Sequence, residues 1–206
     1  MQAAIEALGF ATLNLGYYSR RKSLEALAED VHPEIARFVD NFAGSTHFVG
    51  HSMGGLLTRV YLARHRPSRL GRVVMLGTPN GGSEIADRLK NFAAYRAYFG
   101  PAGQQLTTER DSATQAILPA VDYPVGVIAG NRSIDPISST LFLPSPNDGR
   151  VSVKNTKLAG MTDHIIVSAS HTWLAQNQSA IDQTIAFLRD GRFSRPAISS
   201  AAPPGR

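Results

Sequence analysis

The chain has 206 residues, a net charge of +5 and no cysteine, which excludes a disulfide scaffold, thiolate metal sites and a cysteine nucleophile. Apolar residues at 43% and charged ones at 18% mark a globular chain long enough for its own core. No apolar run approaches the ~20 residues of a membrane span and the start is not a signal peptide, so a cytoplasmic protein without integral membrane association is expected.

In chain order, Phe10–Leu15 reads as a strand ending at Gly16. From Ser23 to Phe42, Leu24, Leu27, Ala28, Val31, Ile35, Phe38, Val39 and Phe42 recur at three-four spacing, an apolar helical face that Pro33 should bend or interrupt. Thr46–Gly50 is a short strand and Met53–Arg64 a helix. Around that helix cluster Arg59, Arg64, Arg66, Arg69 and Arg72, the wet face and exit of one helix. Without a recognition element or interleaved aromatics, they do not make a nucleic-acid site. Arg72–Leu76 is a buried strand closed by Gly77-Thr78-Pro79.

Between Glu84 and Pro119 the alternation pauses, and short helices outside the main sheet are expected. Strands resume at Val125–Ala129 and His164–Ser168, and Ile181, Ile185 and Leu188 mark a closing helix. The segment 193–206 lacks apolar periodicity and should be disordered. Strands that are apolar throughout and alternate with helices imply a mostly parallel sheet covered on both faces, an α/β fold of three layers. Catalysis in such sheets sits at the carboxyl ends of the strands.

There the sequence carries Gly50-His51-Ser52-Met53-Gly54-Gly55, a G-x-S-x-G turn between an apolar strand and a helix. So tight a turn strains Ser52, requires Gly50 and Gly54 to lack side chains, and lifts the hydroxyl to a helix N-terminus. A serine hydroxyl needs a base, and the base an orienting carboxylate. Of six histidines, His32, His47, His51 and His65 precede or flank the turn. His164 opens its strand at the wrong end of the sheet, whereas His171 follows that strand. Among later acids, Asp122 and Asp163 precede strands. Asp148, in the turn Asn147-Asp148-Gly149, and Asp135 both follow the Val125–Ala129 strand, with Asp148 preferred.

These segments, with Gly77-Thr78-Pro79-Asn80-Gly81-Gly82-Ser83 and Ser170-His171, resemble the α/β-hydrolase superfamily, in particular a lipase/esterase branch including PGAP1-like proteins. The resemblance covers most of residues 5–192, taken as one domain. It implies carboxylic ester hydrolysis with Ser52 as nucleophile, His171 as base and Asp148 as orienter, the Met53 N–H as oxyanion donor, and no metal or organic cofactor. The partner it implies is a small-molecule or lipid ester. It also implies a helical cap over about 84–119, whose Tyr95, Tyr98, Phe99 and Leu106 would line the acyl pocket or form ordinary core. The sequence departs from the family at its front, where a strand and a His-Gly loop are expected before residue 1, between the Phe10–Leu15 and Thr46–Gly50 strands in the sheet. The same three side chains would serve a thioesterase or acyltransferase, and without the front loop a non-catalytic binding protein is the other reading.

Overall fold

A computed structural model describes residues 1–134 and 143–195, with the side chains of 94–99 left out. Four strands, β1 (Thr46–His51), β2 (Leu70–Leu76), β3 (Val125–Gly130) and β4 (Asp163–Val167), form one sheet in that order, all parallel. Parallel neighbours need crossovers. α3 (Met53–Arg64) joins β1 to β2, three short helices separate β2 from β3, and α7 (Val153–Thr156) lies between β3 and β4. At the front stand α1 (Gln2–Glu6) and α2 (Leu24–Asp40), and α8 (Gln178–Asp190) closes the chain.

Both faces of the sheet are covered, and β2 shows how. Val73 and Met75 enter one apolar cluster with Leu24, Leu27, Leu56 and Val60 of α2 and α3. Val74 and Leu76, pointing the other way, join Ile5, Phe187 and Leu188 of α1 and α8. All four β2 residues are at most 1% exposed, which is why the strand reads as continuously apolar. Ser23 caps α2 through a hydrogen bond from the Ala26 N–H, and Asn177 caps α8 through one from Ala180. The helix α2 runs through Pro33 without interruption.

Three expectations need correction. Phe10–Leu15 is not a strand and enters no ladder, so β1 is an edge of the described sheet. The segment is held by side chains instead, with Phe10 edge-on to the His47 ring and Leu13 and Leu15 against the α2–α3 cluster. Strand propensity without a neighbouring strand does not make a ladder. Second, residues 193–195 are ordered. Phe193 is 3% exposed, its N–H bonds Asp163, and Arg195 forms a two-pronged ion pair with the same carboxylate. The remaining tail lies outside the described residues.

Third, the arginine cluster is not one wet face. Arg59 is 5% exposed, and one of its nitrogens donates to the carbonyls of Leu118 and Pro119 at 2.8 Å each. Burial pushes its guanidinium down to about 10. Arg64 pairs with Glu29 and Arg66 with Asp122, while Arg69 and Arg72 donate to backbone carbonyls. All five guanidiniums are thus engaged within the fold.

The region between β2 and β3 holds α4 (Glu84–Leu89), α5 (Ala93–Gln104) and α6 (Ser112–Ile117), and no strand. Arg110 fastens it to the turn after β2 by donating to the carbonyls of Asn80 and Pro79. Ser152, beyond β3, donates to Glu84 at 2.6 Å. The start of α4 and the Arg110 segment are thus fastened to the loops that follow β2 and β3, while Leu118 and Pro119 after α6 are held by Arg59 of α3.

Candidate active site

β1 ends at His51 and α3 begins at Met53, so the whole turn is Ser52. Ser52 has φ 55° and ψ −126°, and no other described non-glycine residue has a positive φ. Such a conformation costs of order 1–3 kcal/mol and persists only where the surroundings enforce it. Here the Ser52 N–H donates to the Leu76 carbonyl of β2, continuing the ladder, while its carbonyl accepts from Gly55 in the first helical turn. The Met53 N–H, at the first position of α3, has no acceptor inside the helix and faces the same end of the sheet.

The turn is cramped at Gly50, as the motif requires, but hardly at Gly54 and most of all at Gly55. A Cβ on Gly50 would lie 2.7 Å from the Gly55 backbone, which no side-chain motion relieves. A Cβ on Gly54 would meet only the Tyr17 hydroxyl, at 3.3 Å, so the requirement expected there is weak. The strict neighbour is Gly55, where a Cβ would fall 2.1 Å from Thr78 Oγ1. Gly54 lies at the mouth of the turn, whereas Gly55 is where α3 presses on the loop after β2. Burial pushes the Tyr17 phenol up, so it keeps its proton beside the elbow.

His171 begins a 3₁₀ turn (His171–Gln176) just beyond β4. Its Nε2 lies 2.8 Å from Ser52 Oγ and its Nδ1 2.8 Å from Asp148 Oδ2. The carboxylate can only accept, so the Nδ1–H donates to it, leaving Nε2 as acceptor for the serine proton. Asp148 is 1% exposed, and its other oxygen accepts from the Arg150 and Val151 N–H groups at 2.9 and 2.8 Å. Its carbonyl also accepts from the His171 N–H at 2.9 Å, so acid and base are joined through backbone as well as side chain.

Two further residues border this pair, one leaving it space and one bonding to it. Gly77, at φ 57°, would with a Cβ come within 3.1 Å of Asp148 Oδ2 and 3.2 Å of His171 Nδ1. His51 donates from Nε2 to the His171 carbonyl at 3.0 Å. A glycine after a strand is a visible signal in the sequence, whereas nothing there marks the His51 contact.

The rival residues stand elsewhere. His47 accepts from the Arg72 N–H at 2.9 Å, His164 bonds the Thr156 hydroxyl, and His32 stacks on His65, which pairs with Glu29. Asp122 is bound by Arg66 and Asp163 by Arg195. Asp135 and the side chains of Tyr95, Tyr98 and Phe99 lie outside the described residues. Leu106 is half-buried and packs against the α2–α3 cluster, and its carbonyl accepts from the Ser83 N–H. An open cleft of about 420 Å³ is lined by Arg132, Ile134, Ser168, Ser170 and Trp173 among others, and Ser52, Asp148 and His171 are not part of its lining. No group of described residues could hold a metal ion, and no described helix is long and apolar enough to cross a membrane.

Solved structures share this architecture at low sequence identity. The mature Bacillus licheniformis lipase BlEst2 is 22% identical over 81% of this chain and 72% of its own, with a TM-score of 0.64. The metagenomic carboxyl esterase MGS0156 is 18% identical over 84% and 57%, at 0.67. The phospholipase PlaB of Legionella pneumophila is 20% identical over 76% and 40%, at 0.54. The chain thus spans from about two fifths to under three quarters of these proteins, and the likeness is one of fold. A family model described as the alpha/beta hydrolase fold matches residues 16–120, about half the sequence and the part that contains the serine turn, so the chain belongs to that family.

Proposed function

We propose that this protein is a serine hydrolase of carboxylic esters, of the lipase/esterase kind, working through an acyl-enzyme. The observation that carries the reading is the continuous chain Ser52 Oγ, His171 Nε2, His171 Nδ1, Asp148 Oδ2, with 2.8 Å at both hydrogen bonds. A hydroxyl so placed loses its proton to the imidazole as it attacks a carbonyl carbon. The imidazolium formed is stabilised by the buried Asp148 carboxylate and returns the proton to the departing alcohol. Water then enters by the same route and releases the acid. The oxygen that turns negative during attack lies over the start of α3, where the Met53 N–H and the helix dipole oppose its charge. These proton and acyl transfers call for no metal or organic cofactor. Ester chemistry is further supported by neighbours of the same fold that are named lipase, phospholipase and carboxyl esterase.

The test is hydrolysis of p-nitrophenyl esters of graded acyl length. Ser52→Ala and His171→Ala should each remove nearly all turnover, and the double variant should lose little more, because the residues act as a unit. Full activity in Ser52→Ala would refute the assignment. Turnover only on thioesters, or only with an added alcohol acceptor, would replace ester hydrolysis by thioester cleavage or acyl transfer.

A further inference from the structure

The residue before the nucleophile holds the residue that activates it. His51 ends β1, and its Nε2 sits 3.0 Å from the backbone carbonyl of His171, with the two rings 5.0 Å apart between centroids. A carbonyl cannot donate, so the proton of this bond is on His51 Nε2. Adjacent residues of one rigid turn therefore grip the same histidine twice. Ser52 meets its ring, and His51 meets its backbone. His171 reaches the site from a loop across the sheet, 119 residues further along the chain. Its N–H side is tied to Asp148, and the His51 contact ties its carbonyl side to β1.

We infer that His51 is a positioning residue, one that fixes the distance between the serine and its base by donating to the base's own backbone. The inference rests on the serine-hydrolase reading and adds a part to it. His51 faces Asp148 as well as His171, and burial, the stronger influence, together with the His171 charge keeps its imidazole biased toward the neutral form. A neutral ring with Nε2–H supplies the donor without placing a second positive charge beside the imidazolium formed during catalysis.

The experiment compares the parent with His51→Ala and His51→Gln, whose amide retains an N–H donor without a titrating group. A misplacement approaching 1 Å costs up to about 100-fold in rate. His51→Ala should therefore lower kcat for a p-nitrophenyl ester, and the rate of fluorophosphonate reaction at Ser52, by roughly 10–100-fold, with KM within a factor of about two. His51→Gln should restore both to within about fivefold of the parent. Nitrogen-15 spectra of the parent imidazoles should show His51 protonated at Nε2 at neutral pH. Equal losses in His51→Ala and His51→Gln, an Ala variant as fast as the parent, or His51 carrying its proton on Nδ1 would overturn the inference. A parent that reacts with neither ester nor probe overturns the hydrolase reading and this role with it, whereas a reactive parent indifferent to His51→Ala overturns the role alone.

Discussion

Replacing Gly50 with alanine would place a methyl carbon 2.7 Å from the Gly55 N and Cα and 2.8 Å from the Gly54 carbonyl carbon. Carbon contacts are comfortable from about 3.5 Å, so α3 must retreat from β1 by roughly 0.8 Å. Every contacted atom is backbone, and no rotamer change absorbs the strain. Overpacking of this kind costs about 1–3 kcal/mol, which for a chain of this size lowers Tm by roughly 2–12 °C. The effect on catalysis is larger in proportion. Ser52 moves with α3 while His171, anchored to Asp148, does not, and a shift near 1 Å is worth up to about 100-fold in kcat/KM. Gly54→Ala is the control, since its methyl meets only the Tyr17 hydroxyl at 3.3 Å. It should stay within about fivefold in activity and about 1 kcal/mol in stability. Ester turnover and thermal melting of the two variants decide the matter. Equal activity in Gly50→Ala and Gly54→Ala would refute the claim that this glycine sets the position of the serine.

Asp148→Asn keeps the shape but lets the side chain present an N–H to His171 Nδ1, favouring the wrong tautomer, and kcat should fall by roughly 10³–10⁴-fold with little change in melting. Gly77→Ala, with φ 57° and a methyl at 3.1 Å from Asp148 Oδ2, should push that carboxylate aside, lowering kcat at least about tenfold and Tm by a few degrees. Asp163 has its carboxyl pulled down to about 2, chiefly by the Arg195 hydrogen bonds. A depressed carboxyl stabilises the fold above its unfolded value near 4 and loses that contribution as pH falls toward 2. With Arg195 half exposed, the contribution is about 1 kcal/mol. Asp163→Asn should therefore be less stable at pH 7, and its deficit should shrink between pH 4 and 2 when unfolding is followed by denaturant titration. A deficit unchanged across that window would remove the ion pair from the account.

The parts of the molecule legible in the sequence are those where local pattern and chain direction agree. β2 is apolar on both faces because both faces are buried, and it reads so. The end of the strand at which a residue stands separates Asp148 from Asp122 and Asp163, and His171 from His164. The structure brings Ser52, His171 and Asp148 within hydrogen-bond reach and leaves those rivals in surface ion pairs or structural contacts. What the sequence hid depends on contacts between distant segments. Phe10–Leu15 has strand composition, yet a ladder needs a neighbour that composition does not reveal. Arg59 belongs to an arginine-rich run but is turned inward to two carbonyls some 60 residues away. Gly55 is required by Thr78, not by the turn motif, and His51 is bound to a carbonyl 120 residues downstream.

Intact-mass and peptide analysis after exposure to a fluorophosphonate asks whether Ser52 is an activated nucleophile, since a serine is phosphonylated readily only when a base lies beside it. One adduct should form per chain on Ser52, be absent in Ser52→Ala, and form far more slowly in His171→Ala. Folded protein that stays unmodified, or an adduct on another serine, would contradict that role for Ser52.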